Sequence, residues 1–586
     1  MRTFDDFREV TIVDSEYHHN GVDGHHPPTP ICFCALELYS GREYRLRESD
    51  LHRAKPPWAH GSDILFVSYN APAELLCYSV LGWPHPPFVL DLLIELRQIA
   101  NGVWAKEVPR TLLNALKYYG IPAIAEAEKE RWRKLILTGE PLTPDQWQGV
   151  LDYCWTDVAE TRDLLKAMRP ELPANLDRCL YRSRYTTAVT LSMRSGIPVD
   201  AGTWGQFLEH REQIQLEFAR SSPVYEGTTF KMERFGALLK SLSLCDSWPR
   251  TKAGHLSTSE ETFKDFSRIL AIEQLRQVRS VIDQLREPSF QVHKGRNYFS
   301  ILPFRAETSR NSTIGCIFQA PAWLRALIQP APGRALAYLD YEQEEFLVAG
   351  VLADDPVVLE AYATGDSYTP FAIAANLIPP GGSKSTHPLE RAIAKTCMLA
   401  LQYGGGIHTV ARKAGVSLHR AQDLVTTHRR LFHRLREWSD LQIQQARWNR
   451  HIDTEFGWRL QVSPRTKMLT LRNFRVQGTS AEVLRLAHIL LVERSIPVLC
   501  PVHDAFLLES SEEDIEDVAA EASRLMIRAS EQVLGGFRLR VEAQILRYPD
   551  RLLDKRGMST WNRVQEIVSS NKFNSSGYSL NLSATH

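Results

Sequence analysis

The chain lacks any uninterrupted apolar run of about 18 residues, so no transmembrane helix and no membrane partner are expected. Its opening, MRTFDDFREV, is charged and has no apolar core of the kind a secretory signal needs. Cysteine is sparse, at nine in 586 residues, and the only close pair is Cys32 and Cys34. No CxxC occurs, which removes zinc ribbons and a disulfide framework and makes a reducing cytoplasm the expected compartment. An excess of either charge is also missing, since 69 Lys and Arg balance 69 Asp and Glu. Zero net charge speaks against a uniformly basic surface for nucleic acid. It leaves room for a basic cleft beside an acidic centre. No internal repeat is present.

What the chain does have is a globular composition, 44% hydrophobic and 24% charged, enough for three or four domain-sized units. Over roughly the first 170 residues the pattern alternates strands and helices. Val10–Val13 and Ile64–Val67 are predicted strands. The His-, Gly- and Pro-rich segment from His18 to Pro28 is predicted to be a loop, and its two His-His pairs read as solvated rather than converging on a metal. Residues 175–300 are predicted to be mostly helical, with amphipathic stretches at Trp204–Arg220 and Ser257–Arg286. From Arg334 strands and helices mix again. The Ser/Asn-rich end from about Ser569 is predicted to be disordered. One basic segment, with Arg429, Arg430, Arg434, Arg436, Arg447 and Arg450, reads either as a solvated helix face or as a polyanion contact.

Three segments in the C-terminal half carry chemistry. In ALAYLDYEQEEF an apolar strand reaches Asp340 before a predicted helix, which suits a carboxylate facing a cleft and a Mg²⁺ ion and equally suits a helix N-cap. In RAIAKTCMLALQYGGG, Arg391, Lys395, Leu399 and Tyr403 are spaced by four along one helical face. Cations at one end and apolar and aromatic groups at the other suit a nucleoside triphosphate; an amphipathic helix with a basic tip looks the same. In IPVLCPVHDAFLLE two apolar runs flank His503-Asp504, a β-hairpin with Asp504 at its turn.

The N-terminal part holds a second set. Asp14 and Glu16, at i and i+2, project to one face of a strand. Glu74 follows the second strand in NAPAE, and Tyr153 and Asp157 stand at i and i+4 on a predicted helix. Four carboxylates and a phenol from three segments make a candidate two-metal hydrolytic site. Asp91 is an alternative to Glu74.

Together and in this order, the C-terminal segments resemble the three polymerase motifs of family A DNA polymerases, D-Y-S-Q-I-E, R-x₃-K-x₃-F-x₃-Y-G and V-H-D-E. Thr308-Ser309-Arg310 is similar to the family's T-G-R, and Asn473 to Thr479 to its N-x-P-x-Q-G-T. Gly196–Asp200 and Thr251–Thr258 resemble landmarks of the thumb. The N-terminal set resembles the D-x-E, N-x₃-D and Y-x₃-D motifs of DEDD exonucleases of the tyrosine-bearing subtype. The resemblance implies an α/β multidomain fold: an RNase H-like 3′→5′ exonuclease over 1–172, a thumb region over 173–300, palm and fingers over 301–566, and a disordered tail over 567–586. It implies a monomeric, phage-type DNA polymerase of replication or repair, without a preceding 5′-nuclease domain, acting on primer–template DNA and dNTPs with two Mg²⁺ ions, or Mn²⁺, per active site.

By the same resemblance, Asp340 and Asp504 would hold the metals of synthesis, and Arg391 and Lys395 would grip the phosphates. Gln343, Leu399 and Tyr403 would border the nucleotide, and Glu345 would exclude a ribose 2′-hydroxyl. His503 would contact the primer end. Arg310, Gln477 and Asn473 would meet the DNA, with Arg310 and Gln477 on minor-groove acceptors that look alike in every correct pair. Asp14, Glu16, Glu74 and Asp157 would hold the metals of the exonuclease, with Tyr153 orienting water. The chain departs from the patterns at Leu399 (usually Phe or Tyr), Ala505 (usually Glu), Ser309 (usually Gly) and Glu74 (usually Asp). A single-subunit RNA polymerase, an exonuclease whose remaining chain clamps DNA and a catalytically degenerate DNA-binding protein are the competing readings.

Overall fold

In the computed structural model, residues 2–19, 27–103 and 111–577 are described. The N-terminal unit is built on a five-stranded mixed sheet of β1 (Glu9–His19), β2 (Pro28–Glu37), β3 (Glu43–Arg47), β4 (Ile64–Ser68) and β5 (Val89–Asp91), in the order β3-β2-β1-β4-β5. β2 runs antiparallel to β1 and to β3, whereas β4 is parallel to β1 and to β5. β1 lies at the centre and is covered on both faces, which explains its unbroken Val10–Val13 run. Val10 and Ile12 pack with Val150, Leu151 and Val158 of the long helix Pro144–Met168. Val13 packs on the opposite side with Leu75 and Tyr78 of the helix Pro72–Leu81.

Two expectations change here. β1 continues into the predicted loop as far as His19, with His18 opposite Thr29 and His19 opposite Pro28. His18 and His19 are therefore strand residues; His25 and His26 lie outside the described residues. Strands β2, β3 and β5 were not anticipated. The run Ile31-Cys-Phe-Cys-Ala-Leu36 carried the signal for β2, because a doubly covered strand is apolar throughout and does not alternate.

The C-terminal body has a four-stranded sheet in the order Val498–Val502, Ala505–Ser511, Arg334–Tyr341, Val541–Arg547, all neighbours antiparallel. Period-two alternation divides the Arg334–Tyr341 strand. Ala335, Ala337, Leu339 and Tyr341 pack with the helix Ile515–Val533, where the Tyr341 hydroxyl donates to the Met526 carbonyl at 2.6 Å. Asp340 belongs to the other face. Asp340 and Asp504 do not terminate long loops; each sits where this sheet meets a turn.

Over residues 175–300 the chain is mostly helical as expected, with Asp177–Ser195 the first helix of that span and Leu270–Arg286 the last. The stretch from Ser257 is not continuous helix, since Glu260–Asp265 and Leu270–Arg286 are separate. The C-terminal expectation also changes. Residues 567–577 belong to the helix Met558–Gly577. Trp561, Val564 and Val568 are buried at helical spacing and seat this helix as far as the start of the Ser/Asn-rich end. Residues 578–586 lie outside the described residues. No described helix is long and apolar enough to cross a membrane.

The two parts are joined by a buried ion pair. Arg182, on the helix Asp177–Ser195, donates from Nε and Nη2 to Glu95 at 2.9 and 2.5 Å, with side-chain exposures of 6% and 1%. Arg97 donates to the Pro303 carbonyl at 2.6 Å, and Asn101 to the carbonyls of Glu307 and Arg459 at 2.9 and 2.8 Å. Removing one partner of a buried pair strands the other charge, a loss of about 3–5 kcal/mol. Glu95→Ala should lower the denaturant stability by about that amount, and Glu95→Ala with Arg182→Met should recover much of it; equilibrium unfolding of the two variants measures the difference.

Candidate functional site

The C-terminal centre begins with strand register. Asp340 stands directly opposite Ala505 on one neighbouring strand and Glu542 on the other. Val502 and Ala505 close a hairpin through the two residues His503 and Asp504, and His503 takes a left-handed φ of 54°, as two-residue hairpin turns require. The Tyr341 N–H donates to the Asp504 carbonyl at 3.1 Å, fixing this turn beside the Asp340 strand. The two carboxyls stand close enough that each bears on the other's proton. Burial, then the neighbouring Asp504 charge, pushes Asp340 up from 3.8 to about 8. Burial raises Asp504 as well. Asp340 Oδ1 is enclosed without a hydrogen-bond partner.

A third carboxyl, Glu344, stands beside this pair. It is 3% exposed, and its Oε1 has no hydrogen-bond partner. Burial, followed by the Asp504 charge, raises it well above the usual carboxylate range. In sequence Glu344 is masked by the acidic run Glu342–Glu345, which reads as a solvated helix start. Gln343 precedes it at a left-handed φ of 57°, turning the chain from strand into helix.

A cavity of about 750 Å³ opens over these groups, bordered by Asp340, Asp504, His503, Lys395, Leu399 and Tyr403. Lys395 and Leu399 come from the helix Pro388–Gln402, with Pro388 at its first position, and Tyr403 caps its end. Arg391 departs from the expected pairing with Lys395. Its guanidinium closes on Asp366, from Nε at 3.0 Å and Nη2 at 2.8 Å, and stacks 4.7 Å from the Tyr368 ring. Arg391 does not border the cavity. Lys395 does, and burial followed by the Arg391 charge lowers its pKa.

Glu345 is the hub of the opposite wall. The Tyr403 hydroxyl donates to Glu345 Oε2 at 2.6 Å, and Arg310 pairs with Oε1. Arg310 thus borders the main cavity while bound to Glu345. Asn473 and Gln477, on the helix Met468–Glu493, instead border an adjoining cavity of about 500 Å³ with Glu345 and Tyr403.

The N-terminal centre is also a product of periodicity. Asp14 and Glu16 share the β1 face that Val10 and Ile12 turn toward the helix Pro144–Met168, and a register shift follows Glu16. Asp157 of that helix completes the group: one oxygen from each of the three carboxylates lies within 4.8 Å of the others. Such an all-oxygen donor set fits a hard divalent cation such as Mg²⁺ or Mn²⁺. Burial, then the Asp157 charge, raises Asp14; burial, then the Asp14 charge, raises Glu16. The Cys154 thiol donates to Asp14 Oδ2 at 3.5 Å. Tyr153 is buried one turn before Asp157, and burial raises its phenol.

Glu74 is 2% exposed, has an unpartnered Oε2, and is raised by burial and then by the Asp14 charge. The alternative, Asp91, has a different role. Its carboxylate accepts from the backbone N–H groups of Asn70, Ala71, Leu93 and Ile94 at 3.2, 3.1, 3.0 and 3.4 Å. It caps the helix Leu92–Ala100 and holds the turn that leads to Glu74. Lys129 joins this centre through tertiary packing alone: its amine donates to both oxygens of Asp157 at 2.7 and 2.8 Å. Its surroundings, Glu126-Ala-Glu-Lys-Glu, look like an exposed charged helix.

The raised carboxyls of the C-terminal centre carry a pH signature. Asp340 holds its proton more tightly folded than unfolded, because its value rises from 3.8 to about 8. The stability linked to that proton is complete below about pH 4 and is lost as pH climbs toward about 8. In EDTA the unfolding midpoint should therefore fall between about pH 5 and about pH 8, and Asp340→Asn should flatten the slope. Thermal denaturation across that range, with and without the substitution, is the measurement.

Comparison with known proteins places these geometries in context. The family model for DNA polymerase family A matches residues 237–546. A DNA polymerase of Mycobacterium phage D29 is 31% identical over 241 residues, covering 40% of this chain and 39% of the phage protein. DNA polymerase I of Aquifex aeolicus is 24% identical over 437 residues, covering 67% of this chain and 75% of that protein. This match thus spans about two fifths of the phage relative's length. Among solved structures, the POL domain of Pol1 from M. smegmatis, in complex with DNA primer-template and dNTP, shares the fold at a TM-score of 0.70 and 17% identity, over 92% of this chain and 95% of that one. With more than half of its length matched by the family model, the chain belongs to DNA polymerase family A.

Proposed function

We propose that the chain is a DNA-templated DNA polymerase that adds dNTPs to a primer 3′ end, and that its N-terminal unit is a 3′→5′ exonuclease. The observation that carries the first part is the meeting of Asp340 and Asp504 across the Arg334–Tyr341 and Ala505–Ser511 strands, in a cavity bordered by Lys395 and Tyr403. Mg²⁺, or Mn²⁺, would supply charge neutralisation and activation of the attacking hydroxyl or water at both centres.

The chain's own residues do the remaining work. Asp340 and Asp504 would hold the divalent ions beside the primer end and the triphosphate, and positioning and charge stabilisation dominate such transfers. Lys395 meets the phosphates. Arg391 acts mainly through Asp366 and Tyr368, which set the pitch of the Lys395 helix. Glu345, held by Tyr403 and Arg310, forms a wall against a ribose 2′-hydroxyl. That wall favours deoxynucleotides and speaks against the RNA polymerase reading. Leu399 gives the incoming base an aliphatic rather than an aromatic neighbour.

For the exonuclease, support comes from the order of the five-stranded sheet and from the convergence of Asp14, Glu16 and Asp157. Tyr153 stands near enough to Asp157 to orient an attacking water.

On a templated hairpin with Mg²⁺, Asp340→Asn or Asp504→Asn should lower extension by about 10²-fold or more, a typical loss when a charge-stabilising group is removed, and should leave 3′ degradation intact. Asp14→Ala should do the reverse. Undiminished extension in both C-terminal variants would sink the assignment. Glu345→Ala should raise rNTP relative to dNTP incorporation by about 10-fold or more, the scale of one lost discriminating contact; single-nucleotide incorporation assays read the ratio.

A further inference from the structure

We propose that Lys129 is a built-in cation of the N-terminal carboxylate centre, so that this centre takes one divalent ion where a two-metal site would take two. The inference rests on the exonuclease reading of that centre.

The placement of Lys129 is built into the packing. The helix Glu126–Leu137 that carries it lies close against the helix Pro144–Met168: a Cβ at Gly149 would run into the ring of Trp132, one turn beyond Lys129. Ile136 is buried at the far end. At the near end the Ile124 N–H donates to Glu160 at 2.7 Å, tying the segment to the helix that bears Asp157. The Lys129 stem therefore reaches inward from a fixed base. Its side chain is 21% exposed and that of Asp157 is 10% exposed.

At the tip, the ammonium bridges both Asp157 oxygens at 2.7 and 2.8 Å and lies 5.5 Å from the centroid of the Tyr153 ring. Two N–H groups are engaged on Asp157, which leaves a third for another acceptor. A carboxylate whose two oxygens both accept from an ammonium is poorly placed to share in a second metal ion as well. Asp14, Glu16 and the one Asp157 oxygen that lies within 4.8 Å of them remain for one ion.

The division of labour follows from chemistry. An ammonium offers charge and hydrogen bonds but no coordination position, so it cannot lower the pKa of a water as a divalent ion does. Lys129 instead balances charge on the phosphate. In the hydrolysis a water oxygen bonds to the terminal phosphorus, the bond from phosphorus to the preceding 3′-oxygen breaks, and that oxygen leaves as a hydroxyl after taking up a proton. The products are a nucleoside monophosphate and a shortened 3′ end, with no further reactant.

The test counts ions on the full chain carrying Asp340→Asn and Asp504→Asn, which removes the ligands of the other centre. Mn²⁺ binding is followed by electron paramagnetic resonance and by calorimetry, with single-stranded DNA degradation measured in parallel. The expected result is one ion with lysine at 129, one with Lys129→Arg and two with Lys129→Met. Asp14→Ala should abolish binding in each. Two ions with lysine in place would overturn the proposal, and so would a single ion in Lys129→Met whose unfolding midpoint is unchanged. A shift from one ion to two, with no DNA degradation by either form, would support the role of Lys129 and sink the exonuclease reading instead.

Discussion

Carboxylates repel one another, and the fold forces them together twice. At the C-terminal centre the forcing agent is an antiparallel ladder. The register that sets Asp340 opposite Ala505 also delivers Asp504, because a two-residue hairpin leaves that side chain no other place. A slip of one residue would turn Asp340 toward the Ile515–Val533 helix and bury it among Ala, Leu and Tyr side chains. The apolar alternation of the Arg334–Tyr341 strand guards against that slip. Core packing and the placement of Asp340 are thus specified by the same eight residues.

The Arg334–Tyr341 strand, the hairpin and the Lys395 helix were readable from sequence because each rests on local periodicity, whereas the pairing of Asp340 with Asp504 was implied only by the family resemblance. Strands of period two and a helix of period near four place their side chains without reference to the rest of the chain. Partner choice was not readable. Arg391 and Lys395 look equivalent on a helical face, yet Asp366 and Tyr368, from an earlier loop and turn, take Arg391 away from the cavity. Asp91 and Glu74 look like interchangeable ligands, yet one caps a helix and the other keeps a free oxygen. Glu344 and Lys129 sit in charged runs whose composition suggests solvent, and only tertiary packing encloses them.

The strand β2 and the last helix show the same limit in the fold. A strand covered on both faces loses the alternation that would announce it. The final helix has Ser and Asn on its outer side and shows its purpose only through Trp561, Val564 and Val568. In both places a long-range contact overrides what the local composition suggests.

The buried Arg182–Glu95 pair, together with Arg97 and Asn101, rivets the N-terminal unit to the body at several points rather than hanging it on a tether. The distance between the two acidic centres is then a dimension of the scaffold. On the proposed function, a nucleic-acid end that visits both would have to fray and travel by its own flexibility, so the commuting step would belong to the substrate, and its frequency would be set by how readily the terminal base pairs come apart.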